Sequence, residues 1–424
     1  MSQPMRILLA LFAGLAIGIG LATVQPGWAE AGSAVAQPIG TMWLNALRMT
    51  IVPLVVALLV TGVAATARAA KASRLAGRAI AIFIGFLWLS SALGAAITLT
   101  LLDWFPLPAD AGSALRAAFT SAAPAGEVPP FSDFLVAMVP TNPIMAAAED
   151  NFLPLIVFTL TFAFALTRLP DEPRDLLTRF FQAIADTMLV VIGWVLWLAP
   201  IGVGALAYVV GARAGTAAFG ALVHYVAVVA GTGVLVWTLA YPTARLGGGV
   251  PLPRFVRAVF PAQAVAVSTQ SSLASLPAML RGTEALGLPV ATAGVVLPLA
   301  VAIFRFTGPA MNLSVALYVA HVFGMALGPE QIAIGIAAAA ITTLGAVSLP
   351  GSISFVSSIA PIALAMGVPI EPLALLVAVE TMPDIIRTLG NVTMDVAVTS
   401  MVSRGETTPR GEGDAVLAAH APDA

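Results

Sequence analysis

The stretch Glu380–Asp395 reads ETMPDIIRTLGNVTMD and lies between strongly apolar neighbours. On a helix, at about 100° per residue, Glu380, Asp384, Arg387, Asn391 and Asp395 fall within a stripe about 80° wide. Two carboxylates, a guanidinium and an amide on one face, with a third carboxylate at its end, are costly at bilayer depth. Such residues face a bundle interior or a water-filled cavity and mark a solute or ion path. The stripe predicts a helical membrane protein that works through this segment.

Composition agrees. The chain has 424 residues, of which 59% are hydrophobic and 9% charged. Soluble domains carry about 25% charged residues, so the chain is expected to be an all-α polytopic membrane protein in a lipid bilayer. There is no cysteine, which excludes thiol catalysis, disulfides and cysteine–metal sites. His224, His321 and His420 are isolated; the first two read as packing residues, the last sits in a polar tail, and no metal cluster is expected. The net charge of −2 and the lack of a basic block give no nucleic-acid partner. No nucleophile–base pair points to an enzyme.

Apolar runs near 5–24, 40–67, 79–102, 151–168, 180–212, 217–242, 288–323 and 371–402 are long enough to cross about 30 Å, which predicts eight transmembrane helices. The first run follows Arg6 and spans about 18 residues, longer than the 7–15 of a signal-peptide core, so it reads as a helix that stays. Two further stretches, near 255–284 and 331–368, are interrupted by STQSSLASLP (268–277) and SLPGS (348–352). Helix, turn and helix within one apolar stretch predicts a re-entrant helical hairpin, and paired interrupted segments point to a transporter site. Basic clusters follow the second, fourth and sixth runs (Arg68, Lys71, Arg74, Arg78; Arg168, Arg174, Arg179; Arg245, Arg254, Arg257). The positive-inside rule then puts both termini in the cytoplasm. Residues 104–140 read as an external connection, and 403–424 as a disordered cytoplasmic tail.

WLNALRMTIVPLVVALLVTGVA (43–64), PTNPIMAAAEDNFLPLIVFTLTFAFAL (140–166), LAPIGVGALAYVV (198–210), QSSLASLP (270–277), SLPGS and DIIRTLGNVTMD (384–395) together resemble the dicarboxylate/amino acid:cation symporter family, the glutamate/aspartate transporter fold. The resemblance covers almost the whole chain. It implies a homotrimer in the bacterial inner membrane working by elevator-type alternating access. Helices of about 5–67 and 151–212 would form a scaffold, and about 79–102 and 217–402 the moving transport unit. The hairpin tips, with Leu349, Pro350 and Gly351 in the second, would gate the site in turn. It also implies no cofactor, and H⁺ or Na⁺ as coupling ion.

The chemistry of the stripe fits an acidic solute. Arg387 offers a planar bidentate fork to a carboxylate, Asp384 a partner for an ammonium, Thr388 a hydroxyl, and Asn391 both donor and acceptor. Half-helix N-termini near Ser271, Ser272 and Gly351 add N–H donors. The resemblance implies the same roles, with Asn391 and Ser272 on the main carboxylate and Asp395, with Asn391, on a cation of hard-oxygen preference. Plainer readings stand beside these. Asp384 and Arg387 could neutralise each other, the serines could cap the hairpin backbone, Pro350-Gly351 could be only a turn, Arg48 could join two helices, and Ser90 and Ser91 could pack rather than ligate.

One part of the family pattern is replaced. Where the family's seventh helix unwinds at Asn-Met-Asp-Gly-Thr, this chain aligns Phe304, Arg305, Phe306, Thr307 and Gly308 without gaps; Met311-Asn312-Leu313-Ser314 is an alternative seven residues on. Arg305 is a possible surrogate cation at the coupling sites, unless it points to an aqueous edge. The expectation is a symporter for dicarboxylates or acidic amino acids such as aspartate and glutamate. The alternative is an uncoupled or sodium-independent anion-conducting pathway or carrier. A solute sensor is disfavoured because no output domain is seen.

Overall fold

A computed structural model describes residues 3–72, 74–107, 136, 139–149, 151–344 and 351–404. Among these every regular element is helical: α1 (Gln3–Val24), α2 (Pro26–Arg48), α3 (Ile51–Ala72), α4 (Arg74–Trp104), α5 (Pro143–Ala148), α6 (Phe152–Leu166), α7 (Asp171–Trp197), α8 (Ala199–Ala214), α9 (Ala217–Thr238), α10 (Leu252–Thr269), α11 (Ser272–Ala285), α12 (Val290–Ile303), α13 (Thr307–Val322), α14 (Pro329–Thr343), α15 (Gly351–Ala365) and α16 (Thr381–Val402). Six stretches of the described residues are long and apolar enough to cross a membrane, and the helices 152–166, 199–213 and 355–365 are apolar but shorter. The external connection of 104–140 falls mostly, and the tail beyond 404 wholly, outside the described residues.

Two runs expected as single spans are divided. The run 40–67 breaks at Met49–Thr50, with Pro53 in the first turn of α3; the run 180–212 breaks at Leu198, with Pro200 in the first turn of α8. A proline there lacks an N–H that would have no intrahelical partner, so a new helix begins at little cost. The helix before the first break also starts much earlier than expected, at Pro26. Its first half mixes Glu30, Ser33 and Gln37 with alanines, and an apolar-run reading passes over such a segment.

The tightest helix pair is α1 with α8, which run parallel. A Cβ at Gly14 would collide with the carbonyl of Gly204, and one at Gly18 with that of Tyr208. Small residues four apart let backbones approach where lipid gives no hydrophobic drive for association. Trp43 of α2 closes over Gly202, and its indole Nε1 donates to the Val195 carbonyl at 2.8 Å.

Both interrupted stretches fold back on themselves. Between α10 and α11 the chain turns at Gln270, left-handed with φ of 52°, and Ser271. A Cβ on Gly282 would stand 2.6 Å from the Ala258 oxygen, so the two helices lie antiparallel and close. Between α14 and α15, Gly335 packs on the Met366 thioether, the geometry of a second helical hairpin. Its tip, including Leu349 and Pro350, lies outside the described residues; Gly351 is the first residue of α15.

The final helix α16 is enclosed by α9 to α13, so nearly every side chain from Thr388 to Ser400 is buried. Thr393 ties it to two of these neighbours. Its hydroxyl accepts from Gln263 Nε2 of α10 and Trp237 Nε1 of α9, each at 3.0 Å, and donates to the Leu389 carbonyl at 2.6 Å. That uses the hydroxyl's full capacity inside an apolar surround.

The helix α4 meets α13 at Gly94, where an added Cβ would collide with Ala310, whereas Gly85 on the same helix has open space. Gly94→Ala is expected to lower stability by ~1–3 kcal/mol through overpacking, while Gly85→Ala leaves it unchanged. Thermal unfolding of the detergent-solubilised variants, followed by fluorescence-detected size exclusion, measures both.

Candidate functional site

The predicted stripe is a real face of α16. Arg387 donates through Nη1 to Asp384 Oδ1 at 2.9 Å and through the same nitrogen to Glu380 Oε1. The Glu380 side chain is 0% exposed, Asp384 7% and Arg387 12%. A lone guanidinium could not be held at such burial; charge-assisted bonds to two carboxylates offset its desolvation. The Tyr225 hydroxyl of α9 donates to the other Glu380 oxygen at 3.5 Å. With Nη1 anchored in this way, Arg387 Nε and Nη2 are buried and have no hydrogen-bond partner among the described residues. That leaves the side edge of the guanidinium, the edge that can donate to a carboxylate in bidentate fashion, without an acceptor among the described residues.

One turn on, Asn391 joins α16 to the start of α13. Its Oδ1 accepts the Thr307 backbone N–H at 2.9 Å and lies 2.7 Å from the Thr307 hydroxyl, which also reaches the Arg387 carbonyl at 2.6 Å. The neighbouring Gly390 is required here, because a Cβ would collide with the Thr307 methyl. Thr388 is buried on the same face, between Asp384 and Asn391.

Thr307 needs Asn391 because the backbone leaves the helix just before it. The helix α12 ends at Ile303, Phe304 has φ −110° and ψ 89°, and α13 starts at Thr307. The unwound turn thus falls on Phe304, Arg305 and Phe306, in the ungapped register; Asn312, the alternative, is buried inside α13. The Phe306 carbonyl accepts from the Ser90 hydroxyl of α4, and Ser91 donates to the Ile336 carbonyl of α14 at 2.8 Å. Phe304 stacks on Phe83 with centroids 4.5 Å apart, and Phe306 meets Phe86 edge-on at 5.9 Å. These rings fill the break with hydrocarbon and bring no side-chain oxygen to it.

Arg305 is partly buried. Its Nη2 is buried with no hydrogen-bond partner among the described residues, and it lies within electrostatic reach of Asp384, Arg387 and Asp395. Asp395 is 0% exposed, and neither of its carboxylate oxygens has a hydrogen-bond partner among the described residues. Among the described residues these two oxygens are uncommitted hard side-chain ligands, whereas the Asn391 oxygen is already taken by Thr307.

The other expected residues are placed as follows. Ser271 is the N-cap of α11, accepting from the Ala274 N–H at 3.2 Å, and Ser272 is buried one residue on. The hairpin α10–α11 packs on α16, yet no hydrogen bond joins either serine to that helix among the described residues. Arg48 pairs with Glu371, in the turn ahead of the short helix Leu373–Leu376, at 2.5 Å. His224 packs against Tyr318, its Nδ1 at 3.2 Å from the phenol oxygen. Sequence reading missed Tyr225 and Thr307 as partners of the stripe. Neither carries a signal, since a lone tyrosine or threonine in an apolar run is ordinary.

An all-helical bundle with a buried, charged face on its last helix is the architecture of a membrane transport protein. Comparison with known proteins supplies the family: the profile of the sodium:dicarboxylate symporter family matches residues 4–405, and the chain belongs to that family. Its relatives include the proton/glutamate-aspartate symporter of Escherichia coli strain K12, 28% identical over 379 residues that cover 87% of this chain and 85% of that protein. A C4-dicarboxylate transport protein of Anaeromyxobacter dehalogenans strain 2CP-C is 27% identical over 429 residues, 99% and 95% of the two chains. The proton/sodium-glutamate symport protein of Bacillus subtilis strain 168 is 25% identical over 398 residues, 93% and 92%. The protein is therefore an integral membrane transport protein and not an enzyme.

The contact of Gly390 with Thr307 is open to a double-mutant test. Gly390→Ala should cost ~1–3 kcal/mol by overpacking. Thr307→Ser, which keeps the hydroxyl and removes the methyl, should restore most of that loss in the double variant. A coupling energy near zero in a thermal-unfolding cycle would contradict the contact.

Proposed function

We propose that the chain is a secondary active symporter for small acidic solutes, dicarboxylates or acidic amino acids, coupled to H⁺ or Na⁺. The observation that carries this reading is Arg387: a buried guanidinium anchored by Nη1, with Nε and Nη2 lacking a hydrogen-bond partner among the described residues. A substrate carboxylate would complete that fork, Asp384 would meet an ammonium, and Thr388, Asn391, Ser271 and Ser272 would contact the remaining polar groups. The eight spans, with α10–α11 and α14–α15 re-entering from opposite sides, are part of the proposal. So are an elevator movement gated at Leu349, Pro350 and Gly351, a homotrimeric scaffold, and both termini in the cytoplasm of a bacterial inner-membrane protein. The antiparallel helix pairs at both interrupted stretches support the hairpin assignment.

The coupling half differs from the substrate half. Sodium would need oxygen ligands, and near the break Asp395 supplies two while Phe304 and Phe306 supply no side-chain oxygen. Arg305, within electrostatic reach of Asp395, is proposed to stand in for a cation, which makes solute binding independent of sodium. The same phenylalanines favour the second reading, a carrier or anion pathway without tight coupling.

Proteoliposome uptake of aspartate, glutamate, succinate, fumarate and malate, with and without sodium and pH gradients, tests these readings. Concentrative uptake without sodium is expected. Strict sodium dependence rules out the Arg305 role, and downhill flux alone favours the uncoupled pathway. Arg387→Lys keeps a charge for Glu380 but loses the planar fork. Dicarboxylate affinity should then fall at least about 30-fold, the lower end of the 2–5 kcal/mol cost of losing a buried charged partner. An equal loss for monocarboxylates such as lactate would refute the assignment of Arg387.

A further inference from the structure

The inference here rests on the acidic-solute reading and names the group that would couple it to protons. Arg387 already carries two carboxylates on one nitrogen, from Glu380 and Asp384. With all three ionised these groups sum to a formal charge of −1, with Arg305 the further cation within electrostatic reach, in a site nearly closed to solvent. A solute carboxylate on the Nε/Nη2 edge would be the third anion on a single guanidinium. In a low-dielectric interior like charges this close are not all tolerated, and a proton follows the incoming anion. The question is where it goes.

We propose that Glu380 takes up the proton that accompanies the acidic solute, with Tyr225 as its switching hydrogen-bond partner. Three observations single out this carboxyl. Glu380 is 0% exposed, so its charge depends wholly on the protein around it. Its Oε1 is held by Arg387, which directs the proton to Oε2. The group at Oε2 is a phenol, 3.5 Å away, which can donate to a carboxylate and accept from a carboxylic acid, the bond to the carboxylate being the stronger. Protonation would reverse the direction of that one bond and leave Arg387 anchored. In the proposed complex the charge of Asp384 is needed for a solute ammonium. Asp395 lies more than two turns further along α16, facing Arg305.

The titratable and charged groups facing Glu380 are Tyr225 from α9, and Asp384 and Arg387 on α16, with Tyr318 of α13 meeting the Tyr225 ring edge-on behind it. The helices α1 and α15 also pack on the turn before Glu380. The second carries no ionisable residue and the first only Arg6, in its exposed first turn. The Tyr318 hydroxyl donates to the Ala221 carbonyl at 2.8 Å, so it does not compete for Glu380. Tyr225 is therefore the one described neighbour able to follow the protonation of Oε2. On release of the solute, Glu380 would lose its proton and again share Arg387 with Asp384.

The test is proton uptake on solute binding. Purified protein in weakly buffered detergent with a pH-indicator dye is titrated with L-aspartate and with succinate near neutral pH. The wild type should take up about one proton per bound solute. Glu380→Gln keeps an oxygen acceptor for Arg387; at solute concentrations that saturate it, it should take up no proton, and its affinity, whatever its absolute value, should no longer depend on pH. In proteoliposomes it should still exchange labelled for unlabelled solute but fail to accumulate it on a pH gradient. Tyr225→Phe, which leaves Glu380 in place, should move the pH of half-maximal proton uptake upward by half a unit or more, since a lost donor disfavours the carboxylate. Binding by Glu380→Gln with a full proton uptake would overturn the proposal. So would an unchanged midpoint in Tyr225→Phe, and that result stands even if Glu380→Gln does not fold. Absence of any solute binding by the wild type would instead strike the acidic-solute reading; binding without proton uptake strikes the Glu380 role alone.

Discussion

A guanidinium buried in the middle of a helix bundle constrains everything around it. Arg387 cannot be neutralised by shedding a proton, so the fold has to bring it anions. It does so locally, with Asp384 and Glu380 one and two turns earlier in the same stretch of chain. This local solution has a consequence for the packing. The three charges move as one unit, and the surrounding helices need only exclude water and supply a few hydroxyls. Tyr225, Thr307 and Thr393 are those hydroxyls, each from or toward a different neighbour of α16. Five helices can therefore enclose α16 with otherwise apolar faces.

The second constraint is the broken backbone at Phe304–Phe306. An unwound turn in a bundle exposes peptide groups that must find partners. Here Ser90 takes the Phe306 carbonyl and Asn391 takes the Thr307 N–H. The break is thus stitched to α4 on one side and α16 on the other. The aromatic rings beside it turn what remains into a dry junction. Arg305, at that junction, places positive charge within electrostatic reach of Asp395 and of the Asp384–Arg387 pair.

Much of this was legible in the chain, for identifiable reasons. The stripe on α16 survives because a period near 3.6 is unaffected by what packs against it. The fold-backs at Gln270 and before Gly351 were legible from Ser, Pro and Gly in apolar surroundings, and the break at 304–306 from ungapped flanks. The divisions at Met49 and Leu198 were not. A proline in an apolar run reads alike whether it kinks one helix or opens the next, and only tertiary packing decides. The partners Tyr225 and Thr307 were hidden for another reason: they lie 155 and 84 residues from the groups they meet. Ser271 illustrates the limit of type-based reading, because the hydroxyl that suits a solute also suits its own helix N-terminus, and in this structure it caps α11.

The glycine seam between α1 and α8 has a mechanical meaning. Where Gly14 and Gly18 rest on the backbone of Gly204 and Tyr208, no rotatable side chain lies between the helices to act as a lubricant. A shift of even a fraction of a helical turn would drive peptide groups into each other. The surfaces around α16 are different, faced with methyls, thioethers and rings that can change rotamer as they pass, such as Met311 against Gly233 and Met401 against Gly247. The molecule thus contains a welded joint and a greased one. Whatever part of this protein slides, α1 and α8 travel together.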